Sequence, residues 1–158
     1  MESKEAIQHL KSVALVADRK RYPSLPEHAR VVHRYNDKSA NALTRCIIDY
    51  LRFNGCQAER ISNMGRPVDG QKRYVDAVGF HRQIGSVTWI PGQGTPGTAD
   101  ISATVAGRSV KIEVKHGKDR QSEAQKAYQK NVESAGGIYF IARSFGEFLI
   151  WYNQITEK

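Results

Sequence analysis

Residues 98–125, TADISATVAGRSVKIEVKHGKDRQSEAQ, are the stretch that decides the fold. Apolar and polar residues alternate on both sides of Ala106–Gly107, which predicts a β-hairpin. If these two residues form the loop, Ile101 faces Ile112, and the apolar side chains of both strands share one face. A slip of one residue would put apolar side chains opposite polar ones, so the pattern fixes the register.

The polar face of this hairpin carries a group of charged side chains. The same register predicts that Asp100 lies opposite Glu113, with Cβ atoms about 5 Å apart, and that Lys115 projects from that face. Two opposed carboxylates repel each other and attract a hard cation such as Mg²⁺, which activates water for phosphodiester hydrolysis. The alternative is a solvated strand face on which Lys115 and Lys111 pair with the acids.

The rest of the chain predicts a small α/β domain with a mixed sheet flanked by helices. Amphipathic spacing and capping residues predict helices over 3–18, 39–54 and 122–135, with a last one from Ser144 onward. Strands are predicted over 57–62, 74–80, 87–90 and 138–142, besides the hairpin. Trp89 and Trp151 are predicted to be core residues.

Two segments of different character divide the chain at residue 38. Residues 1–38 are predicted to form an N-terminal helix and a basic arm interrupted by Pro23 and Pro26. This arm is either a solvated linker or a DNA contact. Residues 39–158 are predicted to form the main domain.

The net charge indicates the class of partner. Lys and Arg number 24 against 16 Asp and Glu, which gives a net charge of +8. Such an excess favours a polyanion, above all nucleic acid, over a membrane. No apolar stretch approaches the length of about eighteen residues that a membrane span needs, and two cysteines are too few for a disulfide scaffold. We therefore expect a reduced, cytoplasmic protein.

The charged motif resembles the active site of the PD-(D/E)XK nuclease superfamily. Asp100 is followed on the next strand by Glu113-Val114-Lys115, and the run from Ile112 to Gln125 is similar to the VRR-NUC branch of that superfamily. Phage-encoded members and the C-terminal domain of the Fanconi-associated nuclease carry a similar string. The segment RISNMG at 60–65 loosely resembles the first strand of that branch. The resemblance covers roughly residues 39–148.

The resemblance implies a fold and a set of site residues. The fold would be a restriction-endonuclease-like αβββαβ core, with an N-terminal helical extension in this chain. Asp100, Glu113 and the backbone carbonyl of Val114 would bind Mg²⁺, with Mn²⁺ as a substitute. Lys115 would orient the attacking water, and Gln125 would face the site from its helix. The alternative role for Gln125 is local, in a capping box with Ser122.

One position departs from the family pattern. Many members have a Glu early in the helix before the first strand, and the aligned residue here is Asn41. An Asn supplies a neutral oxygen to a metal but no charge, so Asn41 is a possible but weaker ligand. The site would then bind metal with one acid fewer, or the protein would be a decayed nuclease.

The resemblance also implies a function and a DNA-binding surface. The function would be endonuclease activity on branched or flapped DNA during phage replication, recombination or repair, in the cytoplasm of a bacterial host. A homodimer is one arrangement that the resemblance allows. The alternative is a catalytically decayed nuclease-fold protein that binds DNA or a host protein. The candidate DNA contacts are Lys111, His116, Lys118, Arg120, Lys126, Lys130 and Arg66.

Overall fold

The computed structural model describes residues 2–62, 65–92 and 94–157. The helices are α1 (Ser3–Arg21), α2 (Ala40–Phe53), α3 (Glu123–Ser134) and α4 (Phe145–Thr156), with a short 3₁₀ helix at Glu27–Ala29. The strands are β1 (Gln57–Arg60), β2 (Arg66–Asp69), β3 (Lys72–Val75), β4 (His81–Ile84), β5 (Val87–Ile90), β6 (Ile101–Val105), β7 (Arg108–Val114) and β8 (Ile138–Ala142).

The chain divides into two compact units. The first comprises the chain up to Ile61 and from Gly97 onward, and residues 62–96 form the second. The first unit is an α/β structure in which helices flank a four-stranded sheet of order β1-β6-β7-β8. Strands β1, β6 and β7 are antiparallel, whereas β8 runs parallel to β7, so the sheet is mixed as predicted.

The β6–β7 hairpin has the register that the alternation predicts. Ile101 pairs with Ile112 and Val105 with Arg108, which leaves Ala106 and Gly107 as the loop. Both loop residues have positive φ, 48° and 74°, as a two-residue turn of type I′ requires. The paired apolar side chains are almost fully buried and form the centre of the core.

Helix α1 belongs to the same compact unit as the sheet. Ala6, Leu10 and Ala14 have no exposed surface and join one core with residues of α2, the sheet and α4. The helix continues three residues beyond the predicted end at residue 18 and stops at Arg21, just before Pro23. None of the helices in the described ranges has both the length and the apolar character that crossing a membrane requires.

The second unit differs most from the sequence prediction. Its described residues form four short strands rather than one or two, and all residues of these strands are exposed. The prediction of one strand over 74–80 is wrong, because β3 ends at Val75 and the chain turns before β4 begins at His81. The prediction of Trp89 as a core residue is also wrong, since 62% of its surface is exposed.

Candidate active site

The candidate catalytic residues meet at one edge of the sheet. Asp100 directly precedes β6, Glu113 and Val114 end β7, and Lys115 follows at once. Helix α3 begins a few residues later and brings Gln125 back to the same edge through its first turn. The antiparallel pairing of β6 with β7 makes the start of one strand adjacent to the end of the other, so residues distant in sequence become neighbours.

Asp100 occupies a position different from the one predicted. The β6–β7 ladder ends at the Ile101–Ile112 pair, so Asp100 does not lie opposite Glu113 as a strand partner. Its carboxylate instead accepts a hydrogen bond of 2.9 Å from the backbone N–H of Val114. The chain leaves the extended path before Ile101, and this bond anchors the half-buried carboxylate at the end of β7.

Glu113 and Lys115 form a buried ion pair. Only 2% of Glu113 and 5% of Lys115 is exposed, and the Lys115 Nζ lies 3.1 Å from the Glu113 Oε1. The same ammonium is 3.3 Å from the Oδ2 of Asp119. The face is therefore not solvated, although Lys115 does pair with an acid. Lys111 does not pair with these acids and donates to the hydroxyl of Ser102 instead.

Gln125 makes contacts that fit both of the interpretations considered for it. Its side-chain oxygen accepts from the backbone N–H of Ser122, and the Ser122 hydroxyl accepts from the backbone N–H of Gln125, which completes the capping box. The same oxygen accepts a 2.9 Å hydrogen bond from the Lys115 Nζ. The side-chain amide nitrogen donates to the Oε1 of Glu113. The start of α3 is thus tied directly to the acid and the lysine.

Gly97 and Asp119 contribute to the site but were not singled out from the sequence. Gly97 has a φ of +78°, and a Cβ there would lie 2.3 Å from the carbonyl carbon and oxygen of Ala124. Only glycine permits this approach of the loop before Asp100 to the start of α3. Asp119 lies four residues after Lys115, and that spacing was the available signal for a second carboxylate on the ammonium.

Burial and charge shift the pKa values of the central pair. Burial raises the pKa of Glu113, the negative charge of Asp100 raises it further, and the hydrogen bond from Lys115 opposes both. Burial alone would lower the pKa of Lys115, but its contacts with Glu113 and Asp119 outweigh burial and raise it. The site thus holds a carboxyl group that ionises reluctantly beside an ammonium group that stays charged.

One oxygen of Glu113 has no hydrogen-bond partner among the described residues. The Oε2 atom is buried and has no hydrogen bond, whereas Oε1 accepts from both Lys115 and Gln125. An unpaired buried carboxylate oxygen is costly unless a cation or a donor satisfies it. Because the Val114 N–H points to the Asp100 carboxylate, the Val114 carbonyl points to the same side of the strand.

These oxygens are the donor set that a hard divalent cation prefers. The set comprises the Asp100 carboxylate, the free Oε2 of Glu113 and the carbonyl of Val114. Within the described residues, no group of three or more His, Cys, Asp or Glu side chains is arranged to hold a metal. Two carboxylates and a carbonyl, with water and a substrate phosphate, still match the way Mg²⁺ is commonly held.

Asn41 has a partner of its own. Its side-chain oxygen accepts a 2.8 Å hydrogen bond from the Nη2 of Arg60, and the residue is exposed. Arg60 ends β1 and pairs with Ile101, so this contact lies at the same end of the sheet as Asp100. The oxygen considered as a possible metal ligand is therefore occupied by a guanidinium.

Five of the seven predicted DNA contacts lie in the loop after Lys115 or on α3. His116, Lys118 and Arg120 are exposed in the loop between β7 and α3, directly after Lys115. Lys126 and Lys130 are exposed along α3, where Lys126 pairs with Glu123 at 2.8 Å.

The remaining two predicted contacts are Lys111 and Arg66. Lys111 is half-buried and bonded to Ser102, which leaves it poorly placed for a phosphate. Arg66 is exposed on β2, in the unit formed by residues 62–96. The loop and α3 therefore carry the basic surface of the first unit that adjoins the candidate site.

The chain was compared with protein-family models and with curated proteins. No protein-family model matches the chain, and no curated protein matches it. The geometry of the site and the order of the elements are therefore the basis for a functional proposal.

Proposed function

We propose that this protein is a metal-dependent DNA endonuclease of the PD-(D/E)XK superfamily, of the VRR-NUC type. The observation that carries the proposal is the buried Glu113, with one oxygen unpaired beside Asp100 and the other bonded to Lys115. An ion pair with no function would be expected to stay exposed to solvent. A buried pair at this edge of the sheet is expected of a site that binds a cation and a phosphate.

The order of the elements supports the proposed fold. When residues 62–96 are set aside, the first unit continues from α2 through β1, β6, β7 and α3 to β8. This is the αβββαβ order of a restriction-endonuclease-like core, and α1 would be the N-terminal extension. Residues Asn63 and Met64 of the loosely similar RISNMG segment lie outside the described residues, so that part of the resemblance stays a prediction.

The site residues have distinct roles in the proposed reaction. Asp100, Glu113 and the Val114 carbonyl would hold Mg²⁺ or Mn²⁺, and the ion would supply charge neutralisation at the phosphate and an activated water. Lys115 would hold the attacking water or the developing negative charge with its ammonium group. Gln125 positions that ammonium and the Glu113 carboxylate relative to each other by bonding to both.

The basic residues beside the site define the proposed substrate. His116, Lys118 and Arg120 would contact phosphates of the DNA, because they are exposed and adjoin Lys115. A branched or flapped DNA, as met in phage replication, recombination or repair, is the proposed substrate class. A homodimer would place two sites on a symmetric junction, and the proposed location is the cytoplasm of a bacterial host.

A specific observation favours a second candidate, a decayed nuclease that only binds DNA or a host protein. Asn41 brings no acid to the site, and its oxygen is taken by Arg60. Lys115 is also held by three side-chain oxygens, from Glu113, Gln125 and Asp119. If this arrangement does not open for substrate, binding would survive without chemistry.

A cleavage panel distinguishes the two candidates. Linear, flapped and four-way DNA of matched sequence are incubated with the protein in Mg²⁺, Mn²⁺ or EDTA, and products are resolved on denaturing gels. The nuclease proposal predicts metal-dependent cuts near the branch that EDTA abolishes. DNA binding without cleavage in either metal would contradict it and favour the decayed binder.

A further inference from the structure

Residues 66–90 form one interrupted two-stranded ribbon. Strand β2 pairs with β5 and β3 with β4, both antiparallel, and the register is continuous from the Arg66–Ile90 pair to the Val75–His81 pair. The interruption is a close backbone crossing, where a Cβ on Gly85 would lie 2.2 Å from the carbonyl oxygen of Gly70. We call the outer part, residues 72–84, the ribbon tip.

The ribbon tip exposes both of its faces. No strand residue within it is buried, although an isolated two-stranded ribbon is at best marginally stable in water. Large apolar side chains are exposed along it, which is typical of a binding surface rather than of free protein surface. They are Tyr74, Val75, Val78, Phe80 and Ile84, each between 46% and 79% exposed.

The charges of the ribbon tip favour an anionic partner. Its only carboxylate is Asp76, which pairs with Arg82 at 2.8 Å and is further occupied by backbone N–H groups. Lys72 and Arg73 form no ion pair with any described residue. Because neighbouring strand residues point to opposite faces, these two cations supply positive charge to both sides of the ribbon.

The turn of the ribbon tip presents two apolar side chains on a fixed backbone. The Asp76 side chain accepts hydrogen bonds of 3.0 Å and 2.9 Å from the N–H groups of Val78 and Phe80, and the Asp76 N–H donates to the Phe80 carbonyl. Val78 is 79% exposed and Phe80 is 62% exposed. A hydrogen-bonded turn that exposes an aromatic ring to solvent has the form of a wedge or stacking platform for bases.

We propose that the ribbon tip is a DNA-binding arm that recognises the branch of a branched DNA. Lys72 and Arg73 bind phosphates, and the Phe80 ring packs on a base left unpaired or unstacked at the branch point. A two-stranded ribbon also fits the width of a DNA groove. The choice of branched DNA as the partner rests on the function proposed above.

A second copy of the chain is a less suitable partner for this surface. A symmetric dimer formed through the ribbon tips would bring together two surfaces that both carry Lys72 and Arg73. Like charges facing each other across an interface oppose association. The polyphosphate backbone of DNA neutralises the same cations and releases counterions.

Binding measurements without metal test the arm separately from catalysis. Fluorescence anisotropy in EDTA compares a four-way junction with a linear duplex for the wild type, Phe80→Ala and Lys72→Gln/Arg73→Gln. The control Lys4→Gln/Lys20→Gln removes the same charge from exposed positions on α1. Circular dichroism checks that every variant is folded, and sedimentation velocity gives the oligomeric state.

We expect Phe80→Ala to weaken junction binding about tenfold and to leave duplex binding unchanged, because stacking acts only on accessible bases. The Lys72→Gln/Arg73→Gln variant should weaken binding to both DNAs and reduce the salt slope by about two, whereas the control should change neither. Unchanged junction affinity in both ribbon variants would overturn the proposal. So would a shift from dimer to monomer in those variants without a change in DNA affinity.

Failure of the arm and failure of the nuclease proposal give different results. If the protein cleaves junctions in Mg²⁺ but the ribbon variants bind like the wild type, only the arm proposal fails. If the ribbon variants lose junction binding but the wild type cleaves nothing in any metal, only the nuclease proposal fails.

Discussion

At the scale of single residues, the most informative feature is a carboxyl group kept from water at the end of β7. Glu113 is 2% exposed, its pKa is raised, and Lys115 and Gln125 both bond to the same one of its oxygens. In the metal-free protein, the ionised form of this group destabilises the folded state when the pH is above the pKa of Glu113. A cation at the free oxygen would remove that destabilisation, so the proposed function would link stability, metal binding and chemistry at one atom.

The raised pKa of Glu113 predicts how metal-free stability depends on pH. Because folding raises this pKa, the contribution of Glu113 to stability is fully present below the unfolded value of about 4.3 and is lost as pH rises through the folded value. Asp100→Asn removes the neighbouring charge but keeps an acceptor for the Val114 N–H. We expect this variant to melt higher than the wild type at pH 7 in EDTA, with a difference that disappears toward pH 4.

Thermal melts from pH 4 to pH 8 with and without Mg²⁺ measure this effect. Mg²⁺ should raise the melting temperature of the wild type at the upper end of this pH range and should leave Asp100→Asn unchanged, since that variant lacks a ligand charge. A melting difference in EDTA that does not vary with pH would show that Asp100 does not act through Glu113.

Substitution of Lys115 should lower the cleavage rate without weakening DNA binding. Lys115→Met keeps much of the buried volume but removes the ammonium, and we expect the cleavage rate to fall by at least about 10²-fold. The exposed Lys130→Met serves as the matched control, which should weaken DNA binding and leave the rate at saturation unchanged. Single-turnover kinetics at saturating protein separate the two effects. Equal rates for Lys115→Met and the wild type would remove Lys115 from the chemistry.

At the scale of elements, the β6–β7 hairpin and the start of α3 could be predicted because their signals are local. Strand alternation, a two-residue turn and a capping box each lie within a few residues of one another. The point where the β6–β7 pairing ends could not be predicted from alternation. There the Val114 N–H donates to the Asp100 side chain instead of to a backbone carbonyl of the partner strand. Residues 62–96 were poorly predicted because their strands are short and exposed on both faces, so no alternation marks them.

The contact of Gly97 with α3 predicts a loss of activity from one added methyl group. Gly97→Ala would place a Cβ 2.3 Å from the backbone of Ala124 and would displace the loop that leads to Asp100. We expect this variant to lose more than about 1 kcal/mol of stability and most of its cleavage activity.

Gly107→Ala is the matched control for this prediction. Gly107 also has a positive φ, +74°, but a Cβ there meets no atom within 4 Å. It should lose stability of about 1 kcal/mol from backbone strain and keep its cleavage rate. Chemical denaturation and initial cleavage rates give both quantities, and equal activities in the two variants would show that the Gly97 contact does not position the site.

At the scale of the whole molecule, the N-terminal helix is part of the folded core. The sequence predicted α1 but gave no indication of what its apolar face packs against, since that depends on α2 and α4, which are distant in the chain. In the structure Leu10 is fully buried among residues of the core. The boundary at residue 38 stays a prediction, although α1 packs within the first compact unit.

The burial of Leu10 predicts a large effect on global stability. Leu10→Ala should lower the free energy of unfolding by about 2–5 kcal/mol through lost contacts and a residual cavity. Val16→Ala on the exposed side of α1 is the control and should change stability little, because 62% of Val16 is exposed. Urea denaturation followed by circular dichroism measures both. A change below about 1 kcal/mol for Leu10→Ala would contradict the packing of α1 on the core.

The proposed role of Glu113 as a metal-binding acid of a nuclease is tested most directly by comparing two variants with the wild type. Cleavage of a labelled four-way junction in Mg²⁺ is measured for the wild type, Glu113→Gln and Glu133→Gln, together with junction binding in EDTA. Glu133 is an exposed residue of α3, so its variant removes the same charge away from the site. We predict that Glu113→Gln binds the junction but does not cleave it, while Glu133→Gln does both. Cleavage by Glu113→Gln at the wild-type rate would contradict the account.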